Sequence, residues 1–210
     1  VNPVLAAGVA QGLGIEVPAA MPLASDLPIP EYALSPTLSL LFRPGEMGIR
    51  TRRVAVLVAA GVDAAMVQSV YASLLADGAV PRLVGSQLGK VATGDGSSLD
   101  VEISLEAGPS VLYDAVVVPD GAAAAEAWTM DAHALDFVRD QYRHCKPMLV
   151  IGSGTMLLEK AGIPATLPDG SADSALIGTN SESLAQALVA FKSALSRHRA
   201  FERETNPPRV

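Results

Sequence analysis

The sequence predicts a three-layer α/β fold: a doubly wound, mainly parallel sheet with helices on both faces. Three observations predict it. Short continuous apolar runs recur at Val54–Ala59 (VAVLVA), Ala115–Val118 (AVVV) and Met148–Ile151 (MLVI). Runs of that length mark strands buried on both faces. Helical patterns alternate with them, as a parallel sheet with crossover helices requires. Hydrophobic residues make up 50% of the 210-residue chain but aromatics only 4%. The core is therefore built from Ala, Val, Leu and Ile, which suits helices packed closely on a sheet.

The first 52 residues stand apart. Residues 3–14 predict one short helix, with Val4, Leu5, Val9 and Leu13 as its apolar positions. Pro18, Pro22, Pro28, Pro30 and Pro36 follow. Each removes a backbone donor and disfavours helix in the residue before it. Residues 1–52 thus read as a helical, Pro-rich extended connector that lies on a partner surface. Leu38, Leu40, Leu41 and Phe42 would be its adhesive positions.

The regular domain is expected over 53–199, with a tail over 200–210. After the first strand comes Gly61, then a helix to Asp77 whose Val67, Val70 and Leu74 share a face. Gly78 suits a left-handed helix end. Val80–Val84 is the next strand. Thr93-Gly94-Asp95-Gly96 is a turn signal between β segments at Lys90–Ala92 and Leu99–Ile103. The AVVV strand precedes a helix over about 131–143, with Leu135, Val138 and Tyr142 inward. The MLVI strand turns through Gly152-Ser153-Gly154 into a helix ending near Gly162. A short strand is expected at Ala175–Ile177. Thr179 and Glu182 have the spacing of a capping box before the last helix, whose Leu184, Ala187, Leu188, Phe191 and Leu195 lie on one face. The order is flavodoxin-like.

Composition excludes several function classes. The formal charge is -7, which argues against nucleic acid as a partner, since duplex binding draws on clustered Lys and Arg. Arg197, Arg199, Arg203 and Arg209 alternate with Glu202 and Glu204 and read as a solvated helix end and tail. The lone cysteine, Cys145, permits no intrachain disulfide. That fits a reducing compartment, and a cytoplasmic location is expected. No apolar run approaches the roughly 20 residues of a membrane span, so no membrane partner is expected. The chain begins with Val1 and reads as a fragment of a longer protein.

In such folds ligands sit beyond the C-terminal ends of the strands, which singles out the loops Ala60–Asp63, Asp120–Ala123 and Gly152–Thr155. A strand–Gly-Ser-Gly–helix turn is the setting of a nucleophile elbow. The elbow pattern needs glycine two residues either side of the serine, and here Ile151 and Thr155 stand there. None of His133, His144 and His198 is an obvious base for Ser153, so Ser153 reads as a turn residue. The same glycines could hold an anion, but no phosphate fingerprint accompanies them. Cys145, between His144 and Lys146, lies at the entry end of its strand and reads as structural. Asp63 and Asp120 flank the crevice, where they could meet or cap helices. No histidine or cysteine spacing suggests a metal.

The stretch VAVLVAAGVDAAMVQSVYASLLADGAVPRLVGSQLGKVATGDG resembles the C-terminal domain of large-subunit haem catalases. YDAVVVPDG is similar to that family's YDAVxVPGG segment, and HCKPMLVIG to its H-x-KP strand. VNPVLAAGVAQGLGI and SPTLSLL are similar to the stretch leaving the catalase core. The domain in turn resembles the PfpI and glutamine-amidotransferase-like superfamily. Active members carry a cysteine on the strand-to-helix elbow and a glutamate on the first helix. The resemblance puts Gly152 at the cysteine position and Met66 at the glutamate position, so it implies the fold without that reaction.

It also implies a parent that disproportionates hydrogen peroxide at haem. The haem-binding residues belong to a core this chain lacks, so no catalytic residue, cofactor or metal is expected here. The implied role is structural, with the catalase core and a homo-oligomer, tetrameric in the parent family, as partners. Unfolded client proteins are further partners if the domain acts as a chaperone. An amidotransferase-like hydrolase using Ser153 or Cys145 is the alternative. A small-molecule module using the Gly61, Gly121 and Gly152 loops is a third reading.

Overall fold

The computed structural model describes residues 2–21, 48–167 and 169–203. The chain divides into two units, Val1–Pro44 and Gly45–Val210. In the first, helix α1 spans Pro3–Leu13. The Asn2 side chain accepts a hydrogen bond from the Val4 N–H at 2.8 Å. Pro3 fits the first turn because its missing N–H would have no intrahelical partner there. Gly14 ends the helix in the left-handed conformation at φ 67°. Val4, Leu5, Val9 and Leu13 are exposed. The adhesive positions expected at Leu38, Leu40, Leu41 and Phe42 lie outside the described residues.

The second unit contains, in chain order, β1 (Arg53–Leu57), α2 (Ala64–Ala76), β2 (Val80–Gly85), β3 (Gly89–Ala92), β4 (Ser98–Val101), β5 (Ile103–Ser104), β6 (Ala115–Val118), α3 (Ala122–Thr129), α4 (Ala132–Arg143), β7 (Met148–Ile151), α5 (Thr155–Ala161), β8 (Leu176–Thr179) and α6 (Leu184–Arg197). Six strands form one sheet in the order β5-β2-β1-β6-β7-β8. Each neighbouring pair runs parallel. β6 and β7 are buried along their whole length, and β1 from Val54 onward. Helices cover both faces of such a sheet, and continuous apolar runs are the result. β1 is flanked by β2 on one side and β6 on the other, so successive connections leave β1 in opposite directions. The crevice of a doubly wound sheet opens at such a point, beyond the strands' C-terminal ends.

The elements follow their sequence signals with three differences. Val67, Val70 and Leu74 of α2 are buried, and Gly78 closes its end at φ 77°. Ahead of α4 stands α3, an additional helix that starts inside the stretch expected as the loop Asp120–Ala123. The expected capping box at Thr179 is overturned. The last strand runs on to Thr179, which pairs with Ile151, and the helix starts later, at Leu184. The expected second β segment, Leu99–Ile103, also divides. β4 pairs with β3 as an antiparallel hairpin, while β5 joins the edge of the main sheet.

One expectation about the tail is corrected. Arg203, read as solvated, is 1% exposed. Its guanidinium donates from Nε to Asp173 Oδ2 at 2.6 Å and from Nη2 to Asp173 Oδ1 at 3.1 Å. It also donates to the Lys146 carbonyl at 3.0 Å and lies 4.3 Å over the Tyr142 ring. Burial of so large a cation is tolerable only with a paired carboxylate and further hydrogen bonds. This cluster fastens the 3₁₀ turn Phe201–Arg203 to the junction of α4 and β7.

Candidate functional site

The loops after β1, β6 and β7 meet at the C-terminal edge of the sheet and are laced by backbone hydrogen bonds. The Asp63 N–H donates to the Asp120 carbonyl at 3.0 Å. The β3–β4 turn closes one side, with the Gly94 N–H donating to the Val62 carbonyl at 3.0 Å and the Gly61 N–H to the Ala92 carbonyl at 2.9 Å. Approach is close enough to demand glycine. A Cβ on Gly121, whose φ is +140°, would lie 2.6 Å from the Gly61 carbonyl oxygen. An open cleft of about 440 Å³ lies beside this junction, lined by Gly61, Asp63, Asp95, Asp120 and Gly121 among others.

Each aspartate has a defined task. Asp63 caps α2, accepting from the Met66 N–H at 2.9 Å. Asp95 holds the hairpin turn through the Thr93 hydroxyl, the Ser97 N–H and the Ser97 hydroxyl. Those bonds, the Thr93 hydroxyl first, hold its carboxyl down at about 2. Asp120 caps no helix. Its Oδ1 accepts from the Ser153 hydroxyl at 2.5 Å, the Ser153 N–H at 2.9 Å and the Gly121 N–H at 2.7 Å. The Gly121 N–H is shared with Ser153 Oγ at 3.0 Å. Partial burial pushes the Asp120 carboxyl up, but these bonds, led by the Ser153 hydroxyl, outweigh it and hold the group below the usual range.

Asp63 and Asp120 therefore do not form a catalytic carboxylate pair. Gly152 sits at the β7–α5 elbow with φ +53°. A Cβ there would come within 2.3 Å of Asp120 Oδ2 and 2.4 Å of its Cγ. The Asp120 carboxylate thus fills the space that any side chain at position 152 would enter. Met66, at the start of α2, is 6% exposed and belongs to the hydrophobic core.

The other candidates lie elsewhere. Cys145 is 2% exposed and precedes β7 by three residues, at the opposite end from Ser153. His144 caps the end of α4 at that same opposite end. His198 Nδ1 lies 3.6 Å from Asp114 Oδ1, and Asp114 in turn receives the Arg53 N–H at the start of β1. His133 is exposed on the first turn of α4. Among the described residues the side-chain partners of Ser153 are Asp120 and Gly121. The carboxylate that accepts the Ser153 hydroxyl is held below its usual range, which makes it a weak base.

Among the described residues there is no group of three His, Cys, Asp or Glu able to hold a metal ion. Two side chains of types that ligate haem iron elsewhere are closed off. Tyr142 is buried with one ring face under the Arg203 guanidinium, and Cys145 is enclosed. No described helix is long and apolar enough to cross a membrane.

Sequence reading missed the Asp120–Ser153 contact. The departure of VPDG from the VPGG of the resembling segment was its one local signal.

Known proteins match this chain over most of its length. Residues 50–205 match the family described as the C-terminal domain found in long catalases. The chain is 36% identical over 203 residues to catalase HPII of Pseudomonas putida, covering 95% of this chain and 26% of that protein. It is 35% identical over 209 residues to catalase HPII of Mycobacterium avium, covering 96% of this chain and 29% of that protein. The chain thus spans less than a third of these relatives. Among solved structures, a two-domain protein from Anabaena variabilis with DJ-1/ThiJ/PfpI-like and ferritin-like domains superposes with a TM-score of 0.62 at 19% identity, over 69% of this chain and 48% of that one. Oxidized DJ-1 of Toxoplasma gondii superposes at 0.59 and 15% identity, over 74% and 97%. At such identities these two likenesses concern the fold alone.

Proposed function

The chain belongs to the family of C-terminal domains found in long catalases, and from that premise we propose that it serves a haem catalase as a non-catalytic structural domain. The parent would disproportionate hydrogen peroxide to water and oxygen. Its haem would be held by a core domain outside this chain. The domain's partners would be that core and the other subunits of a homo-oligomer, a tetramer as the resemblance implies. In this reading residues 1–52 connect the core to a domain over 53–199, with 200–210 as its tail. A chaperone-like capture of unfolded clients and a cytoplasmic location belong to the same reading.

The observation that carries it is the elbow. Position 152 has no side chain, and the place for one is taken by the Asp120 carboxylate. Position 66, where related enzymes would need a carboxylate, holds a core methionine. The hydrolase alternative finds no support at either nucleophile. Ser153 is engaged by Asp120, and Cys145 is buried at the other end of the sheet.

The test is to purify the 210-residue chain, add haem, and measure absorbance and oxygen release from peroxide. Neither a Soret band nor turnover is expected. A stoichiometric Soret band with sustained oxygen release would refute the proposal. Deleting the domain from the parent should lower the thermal stability of its oligomer, while leaving the haem chemistry of surviving molecules intact.

A further inference from the structure

We propose that an apolar pocket over the edge strand β8 binds a compact organic ammonium ion, one small alkyl or aryl group carrying a single protonated amine. The pocket has a volume of about 210 Å³ and shares no lining residue with the cleft beside the elbow. Among the described residues, Val150, Leu158, Ile163 and Leu176 form its apolar walls, with Gly178 and Glu159 beside them.

The pocket follows from the position and sequence of β8. Alternate residues of a strand face opposite sides of the sheet. Ile177 packs on the α6 side, against the cluster of Ala175, Ala194 and Ala200. Leu176 and Gly178 face the other side, where the pocket is shared with residues of α5. That helix is seven residues long and ends at Gly162 with φ 78°. β8 is the last strand of its sheet, with β7 as its neighbour, and Gly178 stands opposite Val150 in the ladder. A Cβ built on Gly178 meets no atom within 4 Å. The space that a side chain at position 178 would fill is therefore open, and it belongs to the pocket.

Size and polarity select the guest. An apolar cavity of about 150 Å³ is enough to admit benzene, so a single ring or a branched chain of similar bulk fits here. Burying it removes apolar surface from water. Glu159 is the one charged side chain among the described lining residues, and it is exposed at the rim. Its carboxylate attracts an ammonium and repels a carboxylate. The formal charge of -7 on the chain acts in the same direction. Thr155, also at the rim, donates its hydroxyl to the Gly152 carbonyl at 3.1 Å, so its oxygen faces a guest as an acceptor. Both polar side chains of the lining thus accept hydrogen bonds, and an ammonium only donates them.

The test follows the Gly178 and Val150 amide resonances of the 210-residue chain during titration with benzylammonium chloride at neutral pH and constant ionic strength. Benzyl alcohol and sodium phenylacetate serve as neutral and anionic controls. Benzylammonium should shift both amides saturably, with a dissociation constant on the order of a millimolar, the scale for so few contacting atoms. Benzyl alcohol should bind about two- to fivefold more weakly, the worth of an exposed ion pair, and phenylacetate more weakly still. Gly178→Val places two methyl groups in the open space on a residue that suits a strand. It should weaken benzylammonium binding roughly tenfold by taking the room of the guest. Glu159→Gln, an exposed change on α5, should bring benzylammonium down to the level of benzyl alcohol, and it decides the matter if the valine variant does not fold. A native chain without saturable shifts, or one that takes phenylacetate or benzyl alcohol as tightly as benzylammonium, overturns the proposal. So does a folded Gly178→Val that binds undiminished, or a Glu159→Gln that keeps the full preference for the ammonium.

Discussion

Removing Asp173 should cost far more than a surface ion pair would. The perturbation is Asp173→Ala, which leaves the buried Arg203 guanidinium, among the described residues, with the Lys146 and Tyr142 carbonyls and the Tyr142 ring. Two charge-assisted bonds, at 2.6 and 3.1 Å, are lost and a buried cation is left uncompensated. Breaking one half of a buried pair typically costs about 3–5 kcal/mol, against about 0–1 kcal/mol for exposed pairs. At roughly 2–4 °C per kcal/mol for a domain of this size, the melting temperature should fall by roughly 6–20 °C. Arg203→Met should cost about as much, since it leaves Asp173 with the Ala175 N–H as its remaining side-chain partner. Combining the two removes both charges and should cost less than the sum of the singles by about 2 kcal/mol or more. Urea unfolding followed by circular dichroism measures all three. Strict additivity, or single losses under about 1 kcal/mol, would refute the account of the cluster as a buried, mutually dependent pair.

Three further outcomes follow from particular environments. Gly152→Ala should destabilise by about 1–3 kcal/mol, because its Cβ meets the Asp120 carboxylate at a positive φ; the same change in an Asp120→Gly background should cost measurably less in urea unfolding. Burial first, and then the charge of Arg199, lower the Lys146 ammonium to about 8. The unfolded lysine titrates near 10.4, so between those values the unfolded chain binds more protons and stability should rise with pH from about 8 to about 10; urea midpoints across that range should lose this slope in Lys146→Met. Cys145 is enclosed, so a thiol reagent should modify the native chain slowly and at once in urea. Equal rates in both would mean that the junction before β7 opens readily.

Much of the fold is legible in the sequence because its strands are buried on both faces and so carry uninterrupted apolar runs. VAVLVA, AVVV and MLVI became β1, β6 and β7, and the Thr93–Gly96 turn signal became the hairpin of β3 and β4. The misses have local causes. Helix α3 (AAAAEAWT) is short and mostly alanine, so it shows no amphipathic period, and Gly121 offers no capping side chain. The Thr179 spacing suited a capping box, but the strand ladder with β7 claimed that residue. Arg203 sits in a run of alternating charges that reads as solvated, and its partner lies thirty residues away. At the elbow, only the lack of a side chain at Gly152 was legible. What fills it was not, because the Asp120 contact to Ser153 spans thirty-three residues.

Asp120 and Gly152 are best understood together, since each excludes the alternative state of the other. A side chain at position 152 cannot stand 2.3 Å from the Asp120 carboxylate. A nucleophile installed at the elbow would therefore first have to expel a charged group held by three hydrogen bonds. Once expelled, that carboxylate would leave the Gly121 and Ser153 N–H groups without the acceptor they now share. Two changes are needed together before any chemistry of that kind could begin, and the first alone lowers stability. Each single change is thus obstructed by the other residue or leaves position 152 without a side chain. The geometry persists for a structural reason. Its donors now satisfy a carboxylate that ties the β6–α3 loop to the β7–α5 turn, and a partly buried carboxylate without them would carry the desolvation cost unrelieved.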